Sequence, residues 1–498
     1  MSGLRIALVP LDERPACAEL PGMVAAVAGA TVASPDAALL PHFRAPGDPE
    51  GLARWLRAQA PDVDAVVVAL ETLGHGGLVP SRLGVEPAGT VSAPWEALRR
   101  IDVPVHASAV VQRTPDSDDA TEEPAYYELH GRALHRLSAA LDERARGVAD
   151  DEAVRAARQA VPVEYRRDFL ARRRRNHELN LHALGLAVDG VVRTLVITAD
   201  DTAPAAVGTA ELDWLRHWID WLELSDRVLT YPGADEVGAV LVARALVQAS
   251  GAPLRVSIEA DQPDALARVA AYENVPIRIT AQRQIAAAGG VVVEPADADL
   301  HLLVHAPQGG DWAFGPPAST DPAAAAATAA RAGALVDAGR AVAVADCAQS
   351  NGADPALVAM LSDHVPLTAL AAYAGWNTAG NTLGTAIAHG AAVVVGRRAG
   401  TFDTRAHEQL LLHRFAEDWA YMSSVRGTVR ARRDGGGGDW HRHLRVEPGD
   451  PVVDVIGDAL SRQLSRLPGF AGWRLRTGSV RLPWQRLFEV GFQLEQVP

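Results

Sequence analysis

Short apolar runs alternate with longer stretches of helical periodicity along most of the chain. The runs are rich in Val, Ile, Leu and Ala and end at turn-forming or polar residues, which is typical of buried strands. We predict strands at residues 5–9, 65–70, 103–111, 194–199, 227–229, 255–258, 300–304, 341–345 and 393–395. The intervening segments rich in Ala, Leu and Arg predict helices, among them 126–143, 168–184, 236–249 and 355–361.

This alternation indicates an α/β protein whose parallel sheet is covered by helices on both sides. Because more than eight strands are predicted, we expect a (β/α)8-barrel-like sheet with an insertion at residues 254–299, where 276–279 and 291–293 are further strand candidates. Four consecutive glycines at 435–438 favour a break in the chain. We therefore predict a barrel-like catalytic domain over residues 1–434 and a Gly-rich loop with a small β-rich tail over 435–498.

Composition narrows the class of protein. The 498 residues carry a formal net charge of −14, so we expect no nucleic-acid partner and no anionic membrane surface as partner. The two cysteines, Cys17 and Cys347, are too few for a disulfide framework. Neither a secretory signal nor an apolar stretch long enough to span a bilayer is evident, so a cytoplasmic location is expected.

The most informative motif is the pair Asp200 and Asp201, which follows the strand predicted at 194–199 and precedes Thr202 and Pro204. Neighbouring strand residues point to opposite faces, so both carboxylates can serve one site only where the strand bends into a loop. Loops at the carboxyl ends of parallel strands are where α/β proteins bind ligands. Two crowded carboxylates also differ in proton affinity, which predicts one acid and one anion.

Other predicted strands also end in polar residues, the pattern expected where strand ends surround a site. Carboxylates and amides suit the hydroxyl groups of a saccharide or similar small molecule, and an aromatic ring suits its apolar face. Each pair also has a simpler interpretation: Asp200–Asp201 and Asp235–Glu236 as helix caps, and Asp12 with Arg14 as a local ion pair. The substrate-binding candidates are Asp12, Arg14, Glu71, Arg82, Arg113, Thr202, Tyr231, Asp235, Glu236, Asn351, Trp376, Asn377 and Asn381.

Seven motifs together resemble a bacterial family known as domain of unknown function 4127, and the resemblance spans nearly the whole chain. Glu71 and His75 depart from the family pattern, which has an aspartate and an aromatic residue at these positions. The family name implies no activity. The motifs are Val-Pro-Leu-Asp-Glu-Arg-Pro at 9–15, Gly-Gly-Leu-Val-Pro-Ser-Arg at 76–82, Arg-Arg-Arg-Arg-Asn-His at 172–177, Asp-Asp-Thr-Ala-Pro at 200–204, Tyr-Pro-Gly-Ala-Asp-Glu-Val at 231–237, Asn-Thr-Ala-Gly-Asn-Thr at 377–382 and Leu-Pro-Trp at 482–484.

The strand followed by Asp-Asp is also similar to barrel glycosidases that act on N-acetylhexosaminides with the substrate acetamido group as nucleophile. This resemblance implies that Asp200 stabilises the acetamido group and that Asp201 protonates the leaving oxygen. Tyr231, Trp376 and Asn377 are candidates to complete such a site. We therefore expect a glycoside hydrolase that needs no cofactor or bound metal.

Two alternatives remain open. Asp200, Asp201, Asp235 and Glu236 are the oxygen ligands that a divalent-metal-dependent hydrolase or lyase requires. A protein that binds or senses a saccharide without catalysis would need the same pocket, and a ligand selective for its native state would raise its melting temperature.

Overall fold

The computed structural model describes residues 3–313, 315–316, 320–434, 446 and 449–497. Its strands are β1 Arg5–Val9, β2 Thr31–Ala33, β3 Ala65–Ala69, β4 Val105–Val111, β5 Thr194–Ala199, β6 Val228–Pro232, β7 Leu254–Ala260, β8 Gly290–Val292, β9 Leu300–His305, β10 Val342–Asp346, β11 Ala372–Ala374, β12 Trp473–Leu475 and β13 Leu494–Gln496.

Helices connect nearly all of these strands. The α-helices are α1 Pro15–Ala18, α2 Leu20–Val27, α3 Pro49–Gln59, α4 Leu70–His75, α5 Leu78–Leu83, α6 Ala88–Ser92, α7 Tyr127–Ala145, α8 Asp151–Gln159, α9 Val163–Val188, α10 Val207–Trp221, α11 Val237–Ser250, α12 Ile277–Ala287, α13 Pro322–Asp337, α14 Pro355–His364, α15 Ala379–Ala399, α16 Thr404–Arg414, α17 Arg426–Asp434 and α18 Val452–Leu464. A π-helix, Phe415–Val425, joins α16 to α17, and short 3₁₀ helices lie at Ala37–Leu39, Ala60–Asp62, Ala93–Arg100, Pro263–Ala267, Pro295–Asp297, Leu367–Ala369 and Pro483–Gln485.

The α/β class with parallel sheets is confirmed, but the strands pair differently from a barrel. In the described residues, β1 to β11 form two open parallel sheets, with the orders β2-β1-β3-β4-β5-β6 and β11-β10-β9-β7-β8. Closure into one barrel requires the edge strands to pair, whereas β2 and β6 each pair with one neighbour only. The alternation of strands and helices is the same for either arrangement, so the sequence pattern does not distinguish them.

A shared core joins the two sheets. Helix α11, which follows the first sheet, packs against α15, which follows the second. A single cluster of buried side chains accordingly runs from Leu8 through Val240 and Ile387 to Leu302. The other face of the first sheet has its own apolar layer beneath α3, α9 and α10. The shared layer fixes the carboxyl ends of the two sheets relative to each other.

Two predicted strand segments are helical in the structure. Residues 393–395 lie inside α15, where the whole stretch is buried, and 277–279 begin α12 after Pro276 as its N-cap. The run at 393–395 is apolar and buried on all sides, and such a run reads alike as helix or strand. The expected insertion at 254–299 instead supplies β7 and β8 to the second sheet.

The C-terminal segment contains α18 and a small antiparallel pair, β12 with β13. The glycine run at 435–438 lies outside the described residues. Among those described, no helix is both long and apolar enough to cross a membrane.

Candidate functional site

A cavity of about 700 Å³ opens where the carboxyl ends of the two sheets face the C-terminal segment. Its walls come from the segments after β1, β2, β3, β4, β5 and β6 of the first sheet, after β7, β10 and β11 of the second, and from the C-terminal segment. This is the edge at which open α/β sheets bind ligands. Of the residues predicted from the sequence, those that line the cavity are Arg14, Arg82, Arg113, Asp200, Asp201, Thr202, Asp235, Asn351, Asn377 and Asn381.

The two adjacent aspartates reach the cavity because the backbone turns sharply between them. The Asp200 amide still donates to the Val111 carbonyl at 3.2 Å, which continues the ladder between β4 and β5. Asp201 then adopts φ of +37°, a left-handed conformation. The next helix begins later, with Ala206 as its N-cap, so these carboxylates do not cap it. Both carboxylates thus face one space, as the motif predicted.

Asp200 and Asp201 differ in their surroundings. Arg82 donates from Nη2 to Asp200 Oδ2 at 2.6 Å, and Arg113 donates from Nη1 to Asp201 Oδ2 at 2.9 Å. Burial raises the pKa of Asp201 to about 6, and the neighbouring Asp200 carboxylate adds to that rise, against the opposing effects of Arg113 and Arg82. A pKa of about 6 leaves a fraction of the Asp201 carboxyl groups protonated near neutral pH, which a general acid requires.

Two further carboxylates hold the arginines in place. Glu122 accepts from Arg82 at 2.7 Å and from Arg113 at 3.1 Å, and Glu123 accepts from Arg113 at 3.0 Å. Arg486 of the C-terminal segment also donates to Glu122. Although burial opposes it, Arg113, Arg486 and Arg82 keep the pKa of Glu122 well below its usual value. Glu122 is therefore a fixed anion that orients the guanidinium groups.

A second network surrounds Arg14, which is 4% exposed. Its Nη2 donates at 2.6 Å both to Asp12 Oδ2 and to Asp235 Oδ1. Asn377 donates from Nδ2 to the other Asp235 oxygen at 3.1 Å. Because β1, β6 and β11 precede these three loops, the network connects both sheets at the cavity floor.

The C-terminal segment packs against the Arg14 network through Trp484. Its indole lies 4.4 Å from the Arg14 guanidinium and 4.5 Å from that of Arg486, and it stacks on Phe43 at 4.8 Å. Its Nε1 donates to Glu13 Oε1 at 2.7 Å. These contacts bind the tail to the loop after β1, so the cavity depends on residues at both ends of the chain.

Strained backbone concentrates around the cavity. Non-glycine residues rarely adopt positive φ, least of all bulky ones, and such strain often accompanies function. The cavity-lining residues in this conformation are Phe43, Asp201, Tyr272, Asn351, Asn377 and Trp484, with φ between +37° and +66°.

Five predicted binding residues are buried beneath the cavity surface and do not line the cavity; these are Asp12, Glu71, Tyr231, Glu236 and Trp376. Asp12 forms an ion pair with Arg14, which is the simpler interpretation of these two residues given in the sequence analysis. The other four are buried because each fills a position inside the sheet or helix layers.

The contacts of the other four explain their burial. Glu71 accepts from the Val110 amide at 2.7 Å, and burial raises its pKa to about 7. Glu236 accepts from the Ala234 amide and from Gln284, both at 3.1 Å, and burial raises its pKa to about 8. Tyr231 is fully buried in β6.

Trp376 is also enclosed. Its Nε1 donates to Thr385 at 3.1 Å, and the Arg414 guanidinium lies 5.5 Å from its ring. The prediction that Trp376 offers a ligand a free aromatic face is therefore wrong.

Several cavity residues were not predicted. Glu122 and Glu123 lie in a polar loop nine and ten residues after Arg113. The two adjacent carboxylates are the feature of the sequence that could have identified them. Tyr272 and Glu273 follow β7, in the segment interpreted as an insertion. Trp484, Arg486 and Phe488 belong to the tail, and Trp484 ends one of the family motifs.

The donor atoms do not assemble as the metal alternative requires. In the described part of the chain, one group of three acidic or thiol side chains has its ligand atoms close together: Asp12, Cys17 and Asp235. The Arg14 guanidinium lies between the two aspartates and already neutralises them. Asp200, Asp201, Asp235 and Glu236 do not form such a group.

Comparison with known proteins identifies the family of the chain. No curated protein and no solved structure matches the chain significantly. A family profile described as "Protein of unknown function (DUF4127)" matches residues 6–493, which includes both sheets, the cavity and the tail motif. The chain therefore belongs to the DUF4127 family.

Proposed function

We propose that this protein hydrolyses a glycosidic bond, with Asp201 as the proton donor to the leaving oxygen and Asp200 as the anionic partner. The observation that supports this most is the unequal environment of two adjacent carboxylates in one cavity. Asp201 has a pKa raised to about 6 by burial and by Asp200, whereas Asp200 is held by Arg82 at 2.6 Å. A proton donor beside a fixed anion is the arrangement that glycoside cleavage uses.

The roles follow from the charges that develop during cleavage. Departure of the leaving oxygen requires a proton, which Asp201 can supply. The sugar acquires positive character in the transition state, and a neighbouring carboxylate stabilises it. If the substrate carries an acetamido group that attacks the anomeric carbon, Asp200 orients that group and stabilises its developing positive charge.

The rest of the cavity suits an uncharged, hydroxylated ligand. Its arginines are already paired: Arg14 with Asp12 and Asp235, Arg82 and Arg113 with the carboxylates described above, and Arg486 with Glu122 and Glu489. An anionic ligand would have to displace these carboxylates. Asn377 and Asn381 add amide groups that can bind hydroxyls.

A panel of aryl glycosides, including N-acetylhexosaminides, tests the proposal with the whole protein. We expect release of the aryl alcohol from at least one substrate, and the rate to be unaffected by a chelator. The matched control is Asp62→Asn, which alters an exposed carboxylate that does not line the cavity and leaves the Asp200–Asp201 pair intact. Its rate should equal that of the unmodified protein.

Other outcomes identify the alternatives. Activity that is lost with a chelator and restored by Mg²⁺ or Mn²⁺ would contradict the proposal and favour the metal-dependent hydrolase or lyase. Thermal stabilisation by a saccharide without cleavage of any substrate would instead favour a binding protein.

A further inference from the structure

Among the described residues, four Phe, Tyr or Trp side chains line the cavity, and three of them already have a partner for their rings. Phe43 stacks on Trp484, and the Arg486 guanidinium lies 4.5 Å from the Trp484 ring and 4.9 Å from the Phe488 ring. Tyr272 is the fourth, and it is 36% exposed. In the described part of the chain, neither an aromatic ring nor a guanidinium group packs on its ring. Tyr272 is therefore the aromatic side chain of the cavity that is available to a ligand.

The backbone around Tyr272 is fixed although it lies in a loop. The loop spans residues 268–277, between β7 and α12, and an antiparallel bridge between Val269 and Pro276 closes its base. The Ile277 amide also donates to the Arg268 carbonyl at 2.9 Å. Between these contacts Tyr272 adopts φ of +66°, a conformation that bulky residues rarely adopt. The closed base of the loop thus holds this conformation at the cavity wall.

The hydroxyl group fixes the other end of the side chain. Tyr272 Oη donates to Asp311 Oδ2 at 2.6 Å, and the second oxygen of Asp311 accepts from Asn351 Nδ2 at 2.9 Å. Because these residues follow β7, β9 and β10, three loops of the second sheet hold the ring. Partial burial raises the pKa of Tyr272 above its ordinary value, and the carboxylates of Asp311 and Asp201 add to that rise. The anchored ring thus lies within the electrostatic reach of Asp201.

The ligand that this surface suits is the apolar face of a sugar ring. Val269 of the same loop is 47% exposed and also lines the cavity, so Tyr272 is part of a larger apolar surface there. One face of a pyranose carries C–H groups that pack on an aromatic ring, while its hydroxyls remain free for polar partners. A cation is the other ligand that an aromatic face attracts. It is less favoured here because Asp201 is already paired with Arg113, and Asp311 already accepts hydrogen bonds through both of its oxygens.

We infer that Tyr272 is a stacking platform for one face of a pyranose ring of a saccharide bound in this cavity. The inference rests on the proposed function for the class of ligand, and it names the side chain on which the sugar packs. This role was expected of Trp376, whose ring is enclosed. Tyr272 is assigned no part in bond cleavage, so binding and turnover can be tested separately.

Saturation-transfer difference NMR and titration calorimetry of the full chain test the platform. The saccharide probes are N,N′-diacetylchitobiose, cellobiose and lactose, and tetramethylammonium is the cationic probe. Tyr272→Gly removes the ring and tolerates the positive φ; Tyr272→Asn replaces it if the glycine variant does not fold. Tyr272→Phe keeps the ring without the hydroxyl. Trp221→Ala is the matched control, because Trp221 is 59% exposed at the end of α10 and does not line the cavity.

We expect at least one saccharide to bind the unmodified protein, with the strongest saturation transfer to the C–H protons on one face of a sugar ring. Tyr272→Gly should raise the dissociation constant by about tenfold or more, because the apolar contact of the aromatic ring with the ligand is lost. Tyr272→Phe and Trp221→Ala should leave the dissociation constant nearly unchanged.

Four results would overturn the platform. They are the absence of binding of any saccharide, an unchanged dissociation constant in Tyr272→Gly, a loss in Tyr272→Phe as large as that in Tyr272→Gly, and binding of tetramethylammonium without binding of a saccharide. The third result would show that the hydroxyl group, and not the ring, holds the ligand.

The same proteins separate this inference from the proposed function. Saccharide binding that depends on the Tyr272 ring, without cleavage of any aryl glycoside, supports the platform and contradicts the hydrolase. Cleavage with an unchanged KM in Tyr272→Gly supports the hydrolase and overturns the platform.

Discussion

Replacement of Asp201 by Asn is expected to lower kcat on aryl glycosides by about 10²–10⁴-fold, the usual contribution of a general acid. Asparagine keeps the shape of the side chain but cannot donate a proton of comparable acidity. The loss should be greatest for poor leaving groups and smallest for a dinitrophenyl glycoside, whose leaving oxygen needs little protonation. Steady-state kinetics on a series of aryl leaving groups measures both effects.

The fold should survive this change. Arg113 keeps Glu122 and Glu123 as partners when the Asp201 charge is removed. The melting temperature of Asp201→Asn should therefore lie close to that of Asp62→Asn. Unchanged turnover by a folded Asp201→Asn variant on all leaving groups would refute the proposed role.

Arg14→Met is expected to have the largest effect on stability. It removes the guanidinium that Asp12 and Asp235 share and leaves two buried carboxylates close together. Breaking a buried ion pair by removing one partner costs about 3–5 kcal/mol of unfolding free energy. The lost contact with Trp484 should also loosen the tail from the cavity. Urea denaturation measures the loss.

Arg144→Met is the matched control, since it removes an arginine from an ion pair with Asp151 at the surface. Exposed pairs contribute little because water screens them, so its denaturation curve should barely move. Equal losses for Arg14→Met and Arg144→Met would show that the Arg14 network does not hold the cavity floor together.

The sequence was sufficient to predict the central motif. The run ending at Ala199 and the following Asp200–Asp201 pair indicated two carboxylates at a strand end, because alternation in the strand and the turn after it are local properties. Arg14, Arg113 and Asn377 were predicted on the same reasoning. Side chains at the carboxyl ends of parallel strands meet irrespective of whether the sheet is closed or open. The expectation of a closed barrel therefore did not affect the prediction of these residues.

Other features depend on long-range packing that periodicity does not encode. Glu236 and Trp376 follow strands like the residues that line the cavity, yet they point into the helix layers, where Gln284 and Thr385 are their partners. Trp484 and Arg486 reach the cavity from the opposite end of the chain. Their contacts with Arg14 and Glu122 depend on how the tail folds back, which no local pattern reveals.

The central claim, that Asp201 is the proton donor, is tested most directly by the pH dependence of kcat/KM between about pH 4 and pH 9, which reports the ionisation of the free enzyme. Asp201 must be protonated to act, and its pKa is raised to about 6. We therefore predict that kcat/KM falls above about pH 6, by about tenfold for each further pH unit. A value that stays constant or rises as the pH passes through 6 would contradict the account.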